Sequence, residues 1–144
     1  MAGMILILHA PDACEEAEEL RFELGQIGFR AITFKRVTKR SSKQEIIRAY
    51  ADLILSVSVV IVLASPLVFT DPLLSEIALN SSVEKKMLPV VFGYEEINPP
   101  DWFRDPIRLI SGVKDDPRQW NRLIGSLQRR TGNHYLFSLF LTPS

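Results

Sequence analysis

Cysteine and histidine are scarce in this sequence. The 144 residues include one cysteine, Cys14, and two histidines. A disulfide within the chain and a Cys-x-x-Cys redox pair both need a second cysteine, and a Cys/His zinc site needs about four such ligands, so all three are excluded. We therefore predict no bound metal and a reducing compartment such as the cytoplasm.

An excess of charge of one sign is also missing. Lys and Arg together number 17, and Asp and Glu together number 17. No overall charge therefore attracts the chain to nucleic acid or to an anionic membrane surface. The first ten residues contain no basic segment, and their apolar run is too short for the core of a secretion signal. We predict a cytoplasmic protein without a nucleic-acid partner.

One uncharged stretch approaches the length of a membrane span. Residues 53–70 carry no charge, and about 18 apolar residues are the lower limit for a spanning helix. The stretch nevertheless contains three serines and Pro66, and its β-branched cluster at 57–62 favours an extended chain. We interpret it as a helix end, a buried strand and a loop, and predict no membrane partner.

Several common functional motifs are absent. The first strand is followed by "HAPDAC", where a dinucleotide-binding site needs G-x-G-x-x-G, and no G-x-x-x-x-G-K-[ST] phosphate loop occurs. Ser65 lacks the G-x-S-x-G surroundings of a hydrolase nucleophile. The segment "LASP" has no aspartate at the end of the third strand, where receiver domains have one.

Apolar runs alternate with amphipathic segments along the chain. The runs predict strands at 4–8, 29–34, 57–64, 87–92 and 106–110. Helix signals lie between them: apolar residues at helical spacing from Ala13 to Leu24, a capping box at 42–45, and Asp-Pro pairs at Asp71 and Asp116. This order predicts an α/β domain with an open parallel sheet and helices on both faces.

Ligands of such sheets bind outside the carboxyl ends of the strands. The loops after the first four strands therefore hold the candidate site residues. These are His9, Pro11, Asp12, Lys35, Arg36, Lys39, Arg40, Lys43, Ser65, Glu76, Gly93, Tyr94 and Glu95.

The succession of segments resembles the Toll/interleukin-1 receptor (TIR) domain family, and in particular its bacterial branch. The resemblance rests on "ILILHAPD", "LGQIGFRAITF", "SVSVVIVLASPLVFTDPLLSEIALN" and "KKMLPVVFGYEEINPPDWFRDPIRLISGVKDDPRQWNRLIGSL", and it covers about residues 4–130. It implies a flavodoxin-like open parallel sheet of five strands. We expect a TIR domain over residues 1–130 and an apolar C-terminal tail over 131–144.

The resemblance also implies an activity. In TIR domains that hydrolyse NAD(+), the glutamate that matches Glu76 is catalytic, and a carboxylate beside the ribose can stabilise positive charge as the bond to nicotinamide breaks. NAD(+) is then the substrate and no cofactor is needed. The basic loop at 35–43 would meet the pyrophosphate, and Phe34 or Tyr94 would stack on a base. The expected substrate-binding residues are His9, Ala10, Pro11, Phe34, Arg36, Lys39, Arg40, Ser65 and Tyr94.

Other interpretations stay open. Glu76 also fits a solvent-facing helix position, since glutamate is a common helix former. Leu8 and Pro72 stand where family members typically have serine and tryptophan, which favours a non-enzymatic module that signals by TIR–TIR contact. A nucleoside deoxyribosyltransferase-like enzyme would share the fold type and a helix glutamate.

The resemblance further implies partners. TIR domains associate with one another, and bacterial relatives act as immune or antiphage effectors that assembly activates, with a fused or separate sensor protein. The first helix is acidic and the loop at 35–43 is basic. Copies of the chain could therefore join head to tail through complementary charge.

Overall fold

A parallel sheet organises the described part of the molecule. The computed structural model describes residues 3–33, 42–92, 98–109 and 116–132. Five strands occur within them, in the order β2-β1-β3-β4-β5, and every neighbouring pair is parallel. The strands are β1 Met4–Leu8, β2 Arg30–Thr33, β3 Val59–Ala64, β4 Met87–Phe92 and β5 Ile107–Leu109. The predicted open sheet of five parallel strands is confirmed.

Helices connect the strands, and three of those described begin at the predicted caps. A 3₁₀ turn, Pro11–Ala13, precedes the first of them. The helices are α1 Cys14–Gln26, α2 Lys43–Ser56, α3 Pro66–Thr70, α4 Pro72–Val83 and α5 Pro117–Thr131. The side chains of Ser42, Asp71 and Asp116 each accept a backbone N–H bond from the first turn of the helix that follows, which satisfies donors that a helix start leaves unpaired.

The sheet separates two apolar cores. Ile5 and Ile7 of β1 pack with α1 and α5 on one face, and Leu6 and Leu8 pack with α2 and α4 on the other. All five residues of β1 and all six of β3 are buried. Continuous apolarity in these two strands follows from their position, because each is covered on both faces.

The segment after β3 differs from the prediction of a loop. Residues 66–70 of this segment form the short helix α3. The Ser65 hydroxyl caps this helix by accepting the Val68 N–H at 3.3 Å. The serine-proline pair is a helix start signal of the same kind as the Asp-Pro pairs. The start of β3 also differs, since Val57 caps α2 by donating its N–H to the Leu53 carbonyl at 3.1 Å.

One basic residue links the last helix to the sheet. Arg130 donates from Nη1 to the carbonyl oxygens of Lys86 and Met87, at 3.3 and 3.0 Å, at the start of β4. Desolvation, and to a lesser extent the charge of Arg129, lowers the pKa of the Arg130 guanidinium. These hydrogen bonds therefore offset a cost of withdrawing the charge from water.

The described helices contain none that is both long and apolar enough to cross a membrane. Residues 133–144, almost the whole predicted tail, lie outside the described residues. The division into a domain and a tail at residue 131 stays a prediction.

Candidate functional site

The switch point of the sheet lies between β1 and β3. The chain passes from β1 outward to β2 and then returns to the other side of β1 to form β3. The loops after β1 and β3 therefore leave the carboxyl edge next to each other in opposite directions. Such a divergence opens a crevice, which is the usual place for a ligand in this class of sheet.

A hydrogen-bonded clamp joins these two loops. The Ser65 hydroxyl donates to Asp12 Oδ1 at 2.7 Å, and the Leu67 N–H donates to Asp12 Oδ2 at 3.2 Å. Ser65 is 5% exposed and does not line the cavity described next. The clamp fixes the separation of the loops. Ser65 contributes to it by bonding to Asp12 on one side and to the start of α3 on the other.

An open cavity of about 710 Å³ lies at the carboxyl ends of β1 and β2. Its walls come from the β1 loop, α1, β2, α2 and the start of α4. The lining residues are His9, Pro11, Cys14, Glu18, Arg21, Ala31, Ile32, Thr33, Ile46, Tyr50, Asp71, Leu73, Leu74 and Ile77.

The three candidates after β1 have different positions. His9 and Pro11 line the cavity, whereas Ala10 is fully buried and does not. Nδ1 of His9 lies 2.9 Å from the carbonyl oxygen of Ala10. With the proton on Nδ1 the imidazole donates this hydrogen bond, which leaves Nε2 as its acceptor atom.

Glu76 adjoins the cavity lining only in sequence. It occupies the first half of α4, between Leu73 and Ile77, which both line the cavity, but Glu76 itself does not. Its side chain is 54% exposed, and Oε2 lies 4.0 Å from Nζ of Lys43 at the start of α2. The carboxylate therefore stands in solvent beside the Lys43 cation.

A polar group on α1 and β2 was not anticipated from the sequence. Nε and Nη2 of Arg21 donate to Glu18 Oε2 at 3.0 and 2.8 Å, and the Thr33 hydroxyl donates to Glu18 Oε1 at 3.4 Å. From the sequence, Glu18 is one of several glutamates that make the first helix acidic. The missed signal is the spacing of Cys14, Glu18 and Arg21, which forms one stripe beside the buried stripe of α1.

The helices of the other sheet face supply an apolar wall. Ile46 and Tyr50 of α2 and Leu73, Leu74 and Ile77 of α4 line the cavity there. A cavity with one apolar wall and a few polar groups on another is suited to a flat, partly polar organic ligand.

Five predicted substrate-binding residues lie outside the described residues. They are Phe34, Arg36, Lys39, Arg40 and Tyr94, and their roles stay predictions. Among the residues that the structure describes, no three His, Cys, Asp or Glu side chains are grouped so that they could hold a metal ion.

Comparisons with known proteins bear on the fold. No protein-family model matches the sequence, and no curated protein matches it significantly. The chain is similar in structure to the TIR domain of the Toll-related receptor TRR-2 from the lower metazoan Hydra magnipapillata. The TM-score is 0.66 at 20% identity, and the match covers 89% of this chain and 99% of that one.

A second solved structure indicates the wider fold class. It is a diflavin flavoprotein A3 from Nostoc sp., with a TM-score of 0.55 at 11% identity, and the match covers 96% of each chain. The comparisons support the resemblance to TIR domains without pointing to the bacterial branch. The chain therefore has the flavodoxin-like α/β fold of a TIR domain.

Proposed function

We propose that the chain is a TIR-domain NAD(+) glycohydrolase or cyclase, with Glu76 as its catalytic residue. The observation that carries the proposal is the position of Glu76 on the turn of α4 between Leu73 and Ile77, which line a cavity at the carboxyl edge of the sheet. A carboxylate that follows such a wall along the helix is suited to a bond that breaks between a ring inside the cavity and a sugar outside it.

The chemistry requires little from the protein beyond charge and position. When the bond between the ribose C1′ and the nicotinamide nitrogen breaks, its electron pair stays on the nitrogen and nicotinamide leaves neutral. The Glu76 carboxylate stabilises the positive charge that develops on the ribose. Water, or a nitrogen of the adenine in a cyclase, then bonds to C1′ and releases a proton.

The Glu76→Ala and Glu76→Gln variants test the proposal. Purified protein at high concentration, with a crowding agent to promote assembly, is incubated with NAD(+), and nicotinamide release is followed by chromatography. We expect release by the wild type and a loss of at least about a hundredfold in both variants, the scale of removing a group that stabilises transition-state charge.

Glu84→Gln is the matched control, because Glu84 is an exposed glutamate at the end of the same helix. It should release nicotinamide at the wild-type rate. Full activity of Glu76→Ala in folded protein would exclude Glu76 as the catalytic residue.

A second candidate function is a non-enzymatic module that signals through TIR–TIR contact. Pro72 in place of the usual tryptophan and the exposure of Glu76 favour it. Loss of assembly on charge reversal at Arg36, Lys39 and Arg40, in protein that never releases nicotinamide, is its expected result. A nucleoside deoxyribosyltransferase-like enzyme, the third candidate, would instead cleave free deoxynucleosides and leave NAD(+) intact.

The cellular setting follows from the same proposal. We place the chain in the cytoplasm as an immune or antiphage effector, with a fused or separate sensor that triggers its self-association. Assembly-dependent turnover, measured as activity that rises more steeply than protein concentration, is the corresponding expectation.

A further inference from the structure

Two residues of the cavity lining, Glu18 and Arg21, place a carboxylate beside a guanidinium. Arg21 uses Nε and Nη2 on one oxygen of Glu18, so the Nη1 amine lies outside these two hydrogen bonds. Glu18 accepts these two bonds on Oε2 and a bond from the Thr33 hydroxyl on Oε1, and its carboxylate presents negative charge to the cavity. Both side chains line the cavity, and Arg21 is 47% and Glu18 50% exposed.

The electrostatic balance of this pair matters for selectivity. Glu18 neutralises Arg21 at 2.8 Å, so the wall offers hydrogen bonds without a large net charge. A carboxamide offers a carbonyl oxygen to Arg21 and brings no negative charge to Glu18. A carboxylate carries two acceptors and a negative charge, which attracts Arg21 but meets the like charge of Glu18.

We infer that Glu18 and Arg21 are specificity-determining residues that select a carboxamide over a carboxylate on the departing base. The inference rests on the proposed function, since it assumes that a base enters the cavity while the sugar lies near Glu76. The face of the ring then packs on the apolar wall of Ile46, Tyr50 and Leu74. The substituent of the ring contacts Glu18 and Arg21.

The test compares NAD(+) with nicotinic acid adenine dinucleotide, which differs only in that substituent. The kcat/KM for each is measured by chromatography of the released base, and their ratio is the selectivity. Glu18→Gln should lower the ratio by about tenfold or more, because the variant removes the repulsion of the carboxylate. Arg21→Gln should raise the ratio, because Glu18 is then left without its cation.

Glu19→Gln is the matched control. Glu19 is an exposed glutamate next to Glu18 in α1 and does not line the cavity. Its ratio should equal that of the wild type. Opposite changes in the two cavity variants are not expected from loss of folding, which would lower both rates together.

Two results would overturn the inference. One is a ratio in Glu18→Gln within about twofold of the wild type, the other an equal change in Glu19→Gln. If the wild type cleaves neither dinucleotide, the proposed function fails, and the binding of free nicotinamide and free nicotinate is compared by NMR titration. A wild-type preference for nicotinamide over nicotinate that is lost in Glu18→Gln would still support the role of Glu18 and Arg21. The same preference in the wild type and in Glu18→Gln would reject that role.

Discussion

At the scale of single residues, Ser65 holds the carboxyl edge of the sheet together. Its hydroxyl donates to Asp12 and accepts from the Val68 N–H, so one oxygen joins the β1 loop to the start of α3. Since the residue is 5% exposed, water cannot readily replace a lost partner. The cost of removing the hydroxyl is therefore higher than for a surface serine.

Replacing Ser65 by alanine should destabilise the fold. We expect the free energy of unfolding to fall by about 1–3 kcal/mol, because the helix cap and a hydrogen bond to a charged group are lost together. Urea unfolding followed by circular dichroism measures the change. Ser82→Ala, inside α4, should alter stability by less than about 0.5 kcal/mol, and equal losses in both variants would contradict a special role for Ser65.

The residues of the site were only partly predictable from sequence. His9 and Pro11 could be predicted because they directly follow a recognisable strand, and both line the cavity. Glu18 and Arg21 were missed because a polar stripe on an amphipathic helix has the same pattern whether it faces a cavity or bulk solvent. Only the path of β2 and α2 across the sheet decides between these environments.

At the scale of elements, the start of α4 couples folding to the proposed chemistry. The Asp71 carboxylate accepts the N–H groups of Leu73 and Leu74 at 2.9 and 3.3 Å, and these two residues and Asp71 all line the cavity. The cap thus fixes the turn that precedes Glu76. A frayed turn would move the cavity wall and the proposed catalytic carboxylate together.

Replacing Asp71 by alanine should affect both properties. We expect the free energy of unfolding to fall by about 0.5–2 kcal/mol, because the cap is removed. Asp71→Asn should keep most of the wild-type stability, since asparagine is also a good cap. Thermal unfolding measures the stability. If the proposed function holds, nicotinamide release should fall in Asp71→Ala and recover in Asp71→Asn; an alanine variant as stable as the wild type would contradict the role of the cap.

Element boundaries were predictable where a cap or a long apolar run marks them. The starts of α2, α4 and α5 follow Ser42, Asp71 and Asp116 as predicted. The short helix α3 was missed because five residues give too little periodicity to distinguish a helix from a loop. Its first turn is also held by a tertiary hydrogen bond from the Leu67 N–H to Asp12, which no local pattern contains.

At the scale of the whole molecule, a net charge of zero conceals local charge of both signs. Glu15 and Glu19 are exposed on one side of α1, and the basic segment at 35–40 includes Arg36 and Arg40. Opposite charges on separate segments of the chain favour the predicted head-to-tail contact between copies, which can extend beyond a dimer. Such contacts weaken as salt screens the charges.

A charge exchange between copies tests this arrangement. Glu15→Lys/Glu19→Lys and Arg36→Glu/Arg40→Glu should each weaken self-association, measured by light scattering at low salt, because each pair of substitutions cancels the net charge of one of the two segments. An equal mixture of the two should associate again, since the unchanged acidic helix of one variant meets the unchanged basic segment of the other. Glu84→Lys, an exposed substitution at the end of α4, should assemble as the wild type does. A mixture that stays monomeric would show that the acidic helix and the basic segment do not meet. Assembly would then not depend on the charge of α1.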